Sequence, residues 1–111
     1  MKQTNYKVIY SPVALDDLRN IYSYIAFILL VPDTAKKQVN RIRKEIRSLD
    51  LFPERNSVVE WEPWKSMGMR MVPVDNYCVY YLVDKEKMIV LVDRVFYGGR
   101  DVEHIIQAAQ E

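Results

Sequence analysis

The chain has 111 residues, of which 50% are hydrophobic and 28% charged, and this predicts one folded domain spanning residues 1–111 rather than a disordered chain. Sixteen Lys and Arg stand against 15 Asp and Glu, a formal net charge of +1, so nucleic-acid binding would have to rest on local basic clusters. A single cysteine, Cys78, and a single histidine, His104, exclude a disulfide framework and the common Cys and His metal sites, and we expect no metal or other cofactor.

The N-terminal part of the chain predicts a strand followed by a helix. Tyr6–Tyr10 is rich in aromatic and β-branched residues, as short strands are. Ser11 and Pro12 then supply an N-cap and a first-turn proline. The helix is predicted to end near Val31, because the residue before a proline avoids helical geometry. Apolar residues at three- and four-residue spacing mark its buried side: Ala14, Leu15, Leu18, Ile21, Tyr22, Ile25 and Leu29.

A second helix follows after a short break, which predicts an antiparallel helical hairpin. Asp33 is its predicted N-cap, and Phe52–Pro53 ends it. Its remaining positions are strongly basic, a pattern more typical of a solvated face than of a binding patch. The apolar stripe that should face the core consists of Ala35, Val39, Ile42, Ile46 and Leu49.

The second half of the chain predicts a sheet. Residues 54–67 show no regular period and are predicted as a loop with at most one short strand. Three strand-like segments follow with short polar connections, Gly68–Val74, Tyr77–Asp84 and Met88–Tyr97, and successive strands joined in this way pair as an antiparallel meander. Asp101 then caps a final helix.

The resulting order, β-α-α-β-β-β-α, predicts an α+β fold in which the N-terminal helical hairpin packs on one face of an antiparallel sheet. The opposite face of the sheet is then the natural place for a functional site. The longest apolar stretch, Ile25–Pro32, is too short to cross a bilayer, and no apolar run of signal-peptide length begins the chain. We therefore expect a cytoplasmic protein.

Four phrases, in the same order along the chain, resemble the RelE/ParE superfamily of toxins. The first, YKVIYSPVALDDLRNIYSYI, resembles the first strand and helix of that superfamily and contains its Ala-x-x-Asp-Leu pattern. The second, RIRKEIRSLDLFP, resembles the end of its second helix, and the third, MRMVPVDNYCVYYLVD, resembles its central hairpin. The fourth, VDRVFYGGRDVEHII, resembles its last strand and the exit into the terminal helix.

The resemblance implies that the chain is the toxin of a type II toxin–antitoxin module, of the kind that stabilises plasmids by addiction. A cognate antitoxin would keep the toxin inactive in a hetero-oligomer, and the toxin could also form a homodimer. Toxins resembling RelE cut messenger RNA on the ribosome, whereas toxins resembling ParE poison DNA gyrase without enzymatic chemistry. Our first hypothesis from the sequence is inhibition of translation by a metal-independent endoribonuclease, an mRNA interferase. The second is a gyrase inhibitor, and the third is a non-toxic member that only forms complexes.

If the chain cleaves RNA, the resemblance points to Arg70, Arg94, Tyr97 and His104 as catalytic residues. Arginine grips phosphate in two places, tyrosine can stack on a base, and histidine can transfer protons near neutral pH. Arg94 stands out because a charge within an apolar strand must either pair or face open solvent, and its neighbour Asp93 points to the other face of the strand.

Three of these residues also have a plainer interpretation. Arg70 could be a surface arginine paired with a glutamate, Tyr97 could close the core, and a lone helical His104 is more often exposed or structural. Two further basic residues are expected to contact RNA or phosphate, and these are Arg100, beside the last helix, and Lys65.

Some departures from the RelE pattern weigh against cleavage. RelE-like members carry an arginine directly after the tyrosine of the central strand, where this chain has Cys78 after Tyr77. They also carry lysines on the preceding strand, where this chain has Met69 and Met71. The sequence therefore leaves RNA cleavage and gyrase inhibition nearly level.

Overall fold

The computed structural model describes residues 5–98 and 101–109, and its element order confirms the predicted α+β class. Within the segment predicted as a loop the structure adds a single α-helical turn, and short 3-10 turns lie at Ser48–Asp50 and Pro53–Arg55. The strands are β1 (Lys7–Tyr10), β2 (Arg70–Val74), β3 (Tyr77–Asp84) and β4 (Ile89–Tyr97), and the α-helices within the described ranges are α1 (Pro12–Ser23), α2 (Pro32–Arg47), α3 (Trp64–Met67) and α4 (Val102–Ala109).

The four strands form one sheet in the order β1-β4-β3-β2. The predicted antiparallel meander of β2, β3 and β4 is confirmed. The prediction was wrong for β1, which pairs in parallel with β4, from Lys7 opposite Ile89 to Tyr10 opposite Val92. The alternation of side chains along a strand predicts which face of the sheet each side chain lies on, but not whether a strand far along the chain pairs in parallel. A connection as long as α1 and α2 permits parallel pairing.

The first helix starts as predicted. Its N-cap, Ser11, accepts a hydrogen bond at Oγ from the backbone N–H of Ala14 (3.0 Å), and Pro12 opens the first turn. The α-helix ends at Ser23, earlier than predicted, and the chain continues as one π-helical turn over Tyr24–Ile28. Leu30 then adopts a left-handed backbone (φ 61°), which turns the chain towards α2.

The second helix starts at Pro32 rather than after a capping aspartate. Val31 occupies the N-cap position without a side-chain hydrogen bond, and Asp33 lies in the first turn instead. A carboxylate there still interacts favourably with the helix dipole. In the parts of the chain that the structure describes, no helix is long and apolar enough to span a membrane.

The hairpin of α1 and α2 packs on one face of the sheet, as predicted, and the main core lies between them. Burial of such apolar side chains is the dominant stabilising term in folding. The buried helix residues of this core are Ala14, Leu18, Ile42, Ile46 and Leu49, and they meet Val72, Val79, Tyr81, Val90, Val92 and Val95 from the sheet.

The opposite face of the sheet is partly covered, which the sequence did not predict. α3 and α4 pack there in a second buried cluster consisting of Trp64, Met69, Tyr80, Phe96, Val102 and Ile106. The predicted cap of α4 is confirmed, because Asp101 Oδ1 accepts a hydrogen bond from the backbone N–H of His104 (3.2 Å).

We expect the main core to depend on Ile42, which is fully buried in the middle of α2. Replacing it with alanine leaves a cavity under the hairpin and should lower the free energy of unfolding by about 2–5 kcal/mol. Lys44→Ala on the exposed side of the same helix is the matched control and should change it by less than about 0.5 kcal/mol. Urea denaturation followed by circular dichroism measures both, and equal effects would contradict this assignment of the core.

Candidate functional site

Arg94 on β4 forms a bidentate ion pair with Asp17 on α1. Its Nε donates to Asp17 Oδ2 (2.8 Å) and its Nη2 donates to Oδ1 (3.1 Å). The guanidinium also lies over the ring of Phe96, 4.2 Å from the ring centroid. The two charged side chains are only 26% and 13% exposed, so Arg94 is held on three sides. The sequence predicted that Arg94 would either form an ion pair or face solvent. In the structure Arg94 forms an ion pair, and its partner is Asp17, not the neighbouring Asp93.

Asp17 has a second role at the edge of β4. β1 pairs with β4 only as far as Val92, and the backbone beyond that point would otherwise lack a partner on this side. Asp17 Oδ2 accepts a hydrogen bond from the backbone N–H of Val95 (2.9 Å), and Ser11 Oγ donates to the carbonyl of Asp93 (2.9 Å). The start of α1 therefore replaces the missing strand with side-chain hydrogen bonds.

Arg70 on β2 is also occupied. Its Nη1 donates to the backbone carbonyls of Asn56 (2.6 Å) and Glu54 (3.2 Å), and its Nη2 lies 3.7 Å from the Glu54 carboxylate. The plainer interpretation, an arginine paired with a glutamate, describes this geometry. Arg70 ties the segment before α3 to the edge of the sheet.

The two arginines lie on opposite faces of the sheet. Arg70 is opposite Tyr81 in the strand register, and Tyr81 belongs to the core under the helical hairpin. Arg94 is opposite Tyr80, which belongs to the cluster on the other face. Directly opposed residues share a face, so the fold does not bring Arg70 and Arg94 together.

Tyr97 ends β4 with its side chain 51% exposed. Its ring meets that of Tyr77 edge-on, with the centroids 5.7 Å apart. The two rings line a hollow of about 660 Å³ between the sheet end and the hairpin, within the size range of ligand pockets. Tyr24 and Leu29 from the hairpin line the same hollow. Burial raises the pKa of Tyr77, which makes its hydroxyl a weaker acid.

The remaining predicted site residues are His104, Lys65 and Arg100. His104 lies on an exposed position of α4, and Lys65 is exposed on α3. Within residues 5–98 and 101–109, neither side chain makes a hydrogen bond or ion pair with Arg94 or Tyr97. Arg100 lies outside the described residues.

The titratable groups near Tyr80 are poorly suited to proton transfer at neutral pH. Burial and the neighbouring Cys78 raise the pKa of Tyr80 to about 12, and burial raises the pKa of the Cys78 thiol. Neither group ionises readily, and a thiol must ionise before it acts as a nucleophile. Across the described ranges, no group of three or more His, Cys, Asp and Glu side chains is placed to hold a metal ion.

Two features were missed at the sequence level. The first is Asp17 as the partner of Arg94, although it is the aspartate of the Ala-x-x-Asp-Leu pattern; a pair 77 positions apart in sequence leaves no local signal. The second is the aromatic hollow, whose rings come from α1's continuation, β3 and β4. A run without charge from Asn20 to Pro32 was the available hint that this end of the hairpin is unusual.

Comparison with known proteins gives one family and several structural relatives. The family model described as the ParE toxin of the type II toxin–antitoxin system parDE matches residues 8–102. No curated protein sequence matches the chain significantly.

The structural relatives share the fold at low sequence identity. A chain of the chromosomal ParDE system from P. aeruginosa has 19% identity and a TM-score of 0.68, with 83% of this chain and 95% of that chain covered. A chain of the RelBE2 complex from Mycobacterium tuberculosis has 19% identity and a TM-score of 0.63, covering 85% and 99%. A mutant of the E. coli toxin RelE in the free state has 15% identity and a TM-score of 0.63, covering 96% and 98%.

The ion pair should be worth measurably more than an ordinary surface pair. Asp17→Asn removes the negative charge and leaves the half-buried Arg94 with a neutral partner, which should lower the free energy of unfolding by about 2 kcal/mol. Asp16→Asn on the same turn is the control, because its pair with Arg19 is 63–71% exposed and should contribute less than about 0.5 kcal/mol. Similar losses in the two variants, measured by urea denaturation, would contradict the structural role of Asp17.

Proposed function

The chain belongs to the family of ParE toxins of type II toxin–antitoxin systems, and on this premise we propose that it arrests growth by binding DNA gyrase and not by cutting RNA. Gyrase is the target that the resemblance to ParE implies. The observation that carries the choice is the ion pair between Asp17 and Arg94.

Cleavage of RNA needs a cation free to grip the phosphate, and Arg94 is the arginine of β4 that would have to supply it. To do so it would leave Asp17, and a carboxylate that is 13% exposed would lose its counter-charge. Removing one partner of a partly buried pair costs more than breaking an exposed pair, because the remaining charge is left poorly solvated. Asp17 also keeps the Val95 N–H paired, which ties this carboxylate to the strand.

The position of Arg70 supports the same choice. Concerted cleavage requires cations and proton-transfer groups to converge on one phosphate. Arg70 lies on the face opposite to Arg94 and is bound to two backbone carbonyls. Met69, at one of the positions where RelE-like members carry lysine, is fully buried in an apolar cluster, so it contributes to packing instead of phosphate binding.

The partner of the chain in the silent state is proposed to be a cognate antitoxin. The family is described by its toxin–antitoxin system, and several of the structural relatives come from toxin–antitoxin complexes. A target such as gyrase places the proposed site of action in the cytoplasm.

RNA cleavage is kept as the second candidate because two predicted residues are accessible. Tyr97 is half exposed at the end of β4, and the His104 side chain is exposed on α4. A stacking tyrosine and a histidine could act on RNA with a different cation, and Lys65 is also exposed.

Brief induction of the chain in cells distinguishes the two mechanisms. We expect intact messenger RNA when its 5′ ends are mapped, DNA breaks that depend on gyrase, and loss of supercoiling when the purified chain is added to purified gyrase. His104→Ala should remain fully toxic, because its side chain is exposed and the proposed inhibition of gyrase requires no proton transfer from it. Ala108→Ser, at another exposed position of the same helix, serves as the matched control.

The outcome that would contradict the proposal is equally specific. Ribosome-dependent cuts in messenger RNA that disappear in His104→Ala but persist in Ala108→Ser, with supercoiling unaffected, would establish the second candidate in place of the first.

A further inference from the structure

One side of α2 carries basic residues for which the described part of the chain supplies no counter-charge. We call this side the basic face and define it by its five exposed cations, which are Lys36, Lys37, Arg43, Lys44 and Arg47. At about 3.6 residues per turn they fall within an arc of about 120°, on the side of the helix turned away from its buried residues. Within residues 5–98 and 101–109, none of the five forms an ion pair.

Beyond its first turn, the other charges of α2 are paired. Arg41 donates from Nε to Asp75 Oδ2 (2.7 Å), and Glu45 Oε2 lies 3.6 Å from Arg55 Nη2. Both residues project from the helix outside the arc of the basic face. The structure therefore separates two sets of charges that the sequence pattern could not distinguish, one neutralised within the fold and one left open to solvent.

The basic face also divides the charge of the whole chain unevenly. Of the 16 Lys and Arg, five lie on this face, which leaves 11 against 15 Asp and Glu and a net charge of −4 for the rest of the chain. The five cations also repel one another, as Arg43 and Arg47 do at a spacing of four residues on one helix. An anion from outside the described chain would relieve this repulsion.

Arg43 is the cation of this face that a neighbouring side chain holds in place. Its guanidinium lies over the ring of Tyr10, 5.5 Å from the ring centroid, within the range of cation–π attraction. A guanidinium has several N–H donors, so it can contact the ring and still bind a phosphate through its planar fork. Stacking of this kind reduces the freedom that the side chain would lose on binding.

The surroundings of the basic face suit binding of phosphate without cleavage. Burial raises the pKa of Tyr10, so its hydroxyl stays protonated at neutral pH. His104 belongs to α4, which packs against the opposite face of the sheet. Cations without an adjacent proton-transfer group can hold a phosphate backbone but lack the acid and base that its cleavage requires.

We propose that the basic face binds the phosphate backbone of duplex DNA, without regard to its sequence. The cations span about 17 Å of helix, and a duplex carries one phosphate per about 1.7 Å of its axis, so phosphates are available to all five. An acidic peptide would need a carboxylate at nearly every turn to match them. DNA is chosen over RNA because the proposed target, gyrase, acts on DNA, and this choice rests on the proposed function.

Fluorescence anisotropy of a labelled DNA duplex of about 30 base pairs, titrated with the purified full-length chain without gyrase, tests the proposal. The logarithm of the binding constant should fall with the logarithm of salt concentration at a slope of about −4 to −5, because each neutralised phosphate contributes about −0.9. Lys36→Gln/Lys44→Gln should reduce the slope by about 2 and weaken binding at least about tenfold at about 100 mM salt. The variant should be no less stable than the wild type in urea, since it removes like charges.

Lys7→Gln/Lys87→Gln is the matched control, with the same loss of charge. Both lysines are exposed, and Lys87 lies in the turn between β3 and β4. Lys7 points to the face of the sheet opposite to α2, because its neighbour Val8 packs against the main core. The control should bind the duplex within about twofold of the wild type, because it removes no phosphate contact.

A wild-type chain that leaves the duplex unbound at low salt, or equal losses in the two double variants, would overturn the proposal. So would tighter binding to an RNA duplex of the same length, or an antitoxin that binds through Lys36 and Lys44 to a chain with no affinity for DNA. The proposed function fails separately. A chain that binds DNA through these lysines and leaves supercoiling by gyrase intact would uphold the basic face and contradict the choice of target, whereas a gyrase inhibitor without affinity for DNA would do the reverse.

Discussion

The pairing of Asp17 with Arg94 is the interaction that joins the first helix to the second half of β4. β1 supports β4 only as far as Val92, so the second half of β4 needs another partner along that edge. One carboxylate meets this need by accepting from Val95 N–H and by pairing with both nitrogens of the Arg94 fork. It thereby fixes α1 to the strand, and α1 in turn holds α2 over the main core.

This constraint also shapes what the protein can do. An arginine that holds two elements together is not free for a phosphate, and Arg70 faces the opposite side of the sheet. The accessible surface at the end of β4 is instead apolar and aromatic, with Tyr97 and the hollow that it lines with Tyr24, Leu29 and Tyr77. Aromatic residues are enriched at protein–protein contacts, in keeping with the proposed action on another protein.

The sequence predicted the local elements well, because hydrophobic period, capping residues and turn residues are local signals. Ser11 and Asp101 cap their helices as expected. Ile42, Ile46 and Leu49 of the predicted stripe join the main core, whereas Ala35 packs near the end of the hairpin and Val39 is only partly buried. The misses are non-local. A strand of four residues gives no indication that its partner runs parallel, and Arg94 could be predicted to pair but not with Asp17. The apolar run of the first helix was predicted as one buried stripe of a helix that reaches Val31. The α-helix instead ends at Ser23 and continues as a π-helical turn over Tyr24–Ile28, and Tyr22 and Leu29 of the predicted stripe are exposed.

A double-mutant cycle on this pair tests the central claim most directly. Asp17→Asn, Arg94→Gln and the double variant are compared with the wild type by urea denaturation at neutral pH. Since each single change breaks the pair and the double change removes both charges, a structural ion pair predicts a coupling energy of about 1–3 kcal/mol. A coupling near zero, with both single variants as stable as the wild type, would contradict the account and leave Arg94 available for phosphate.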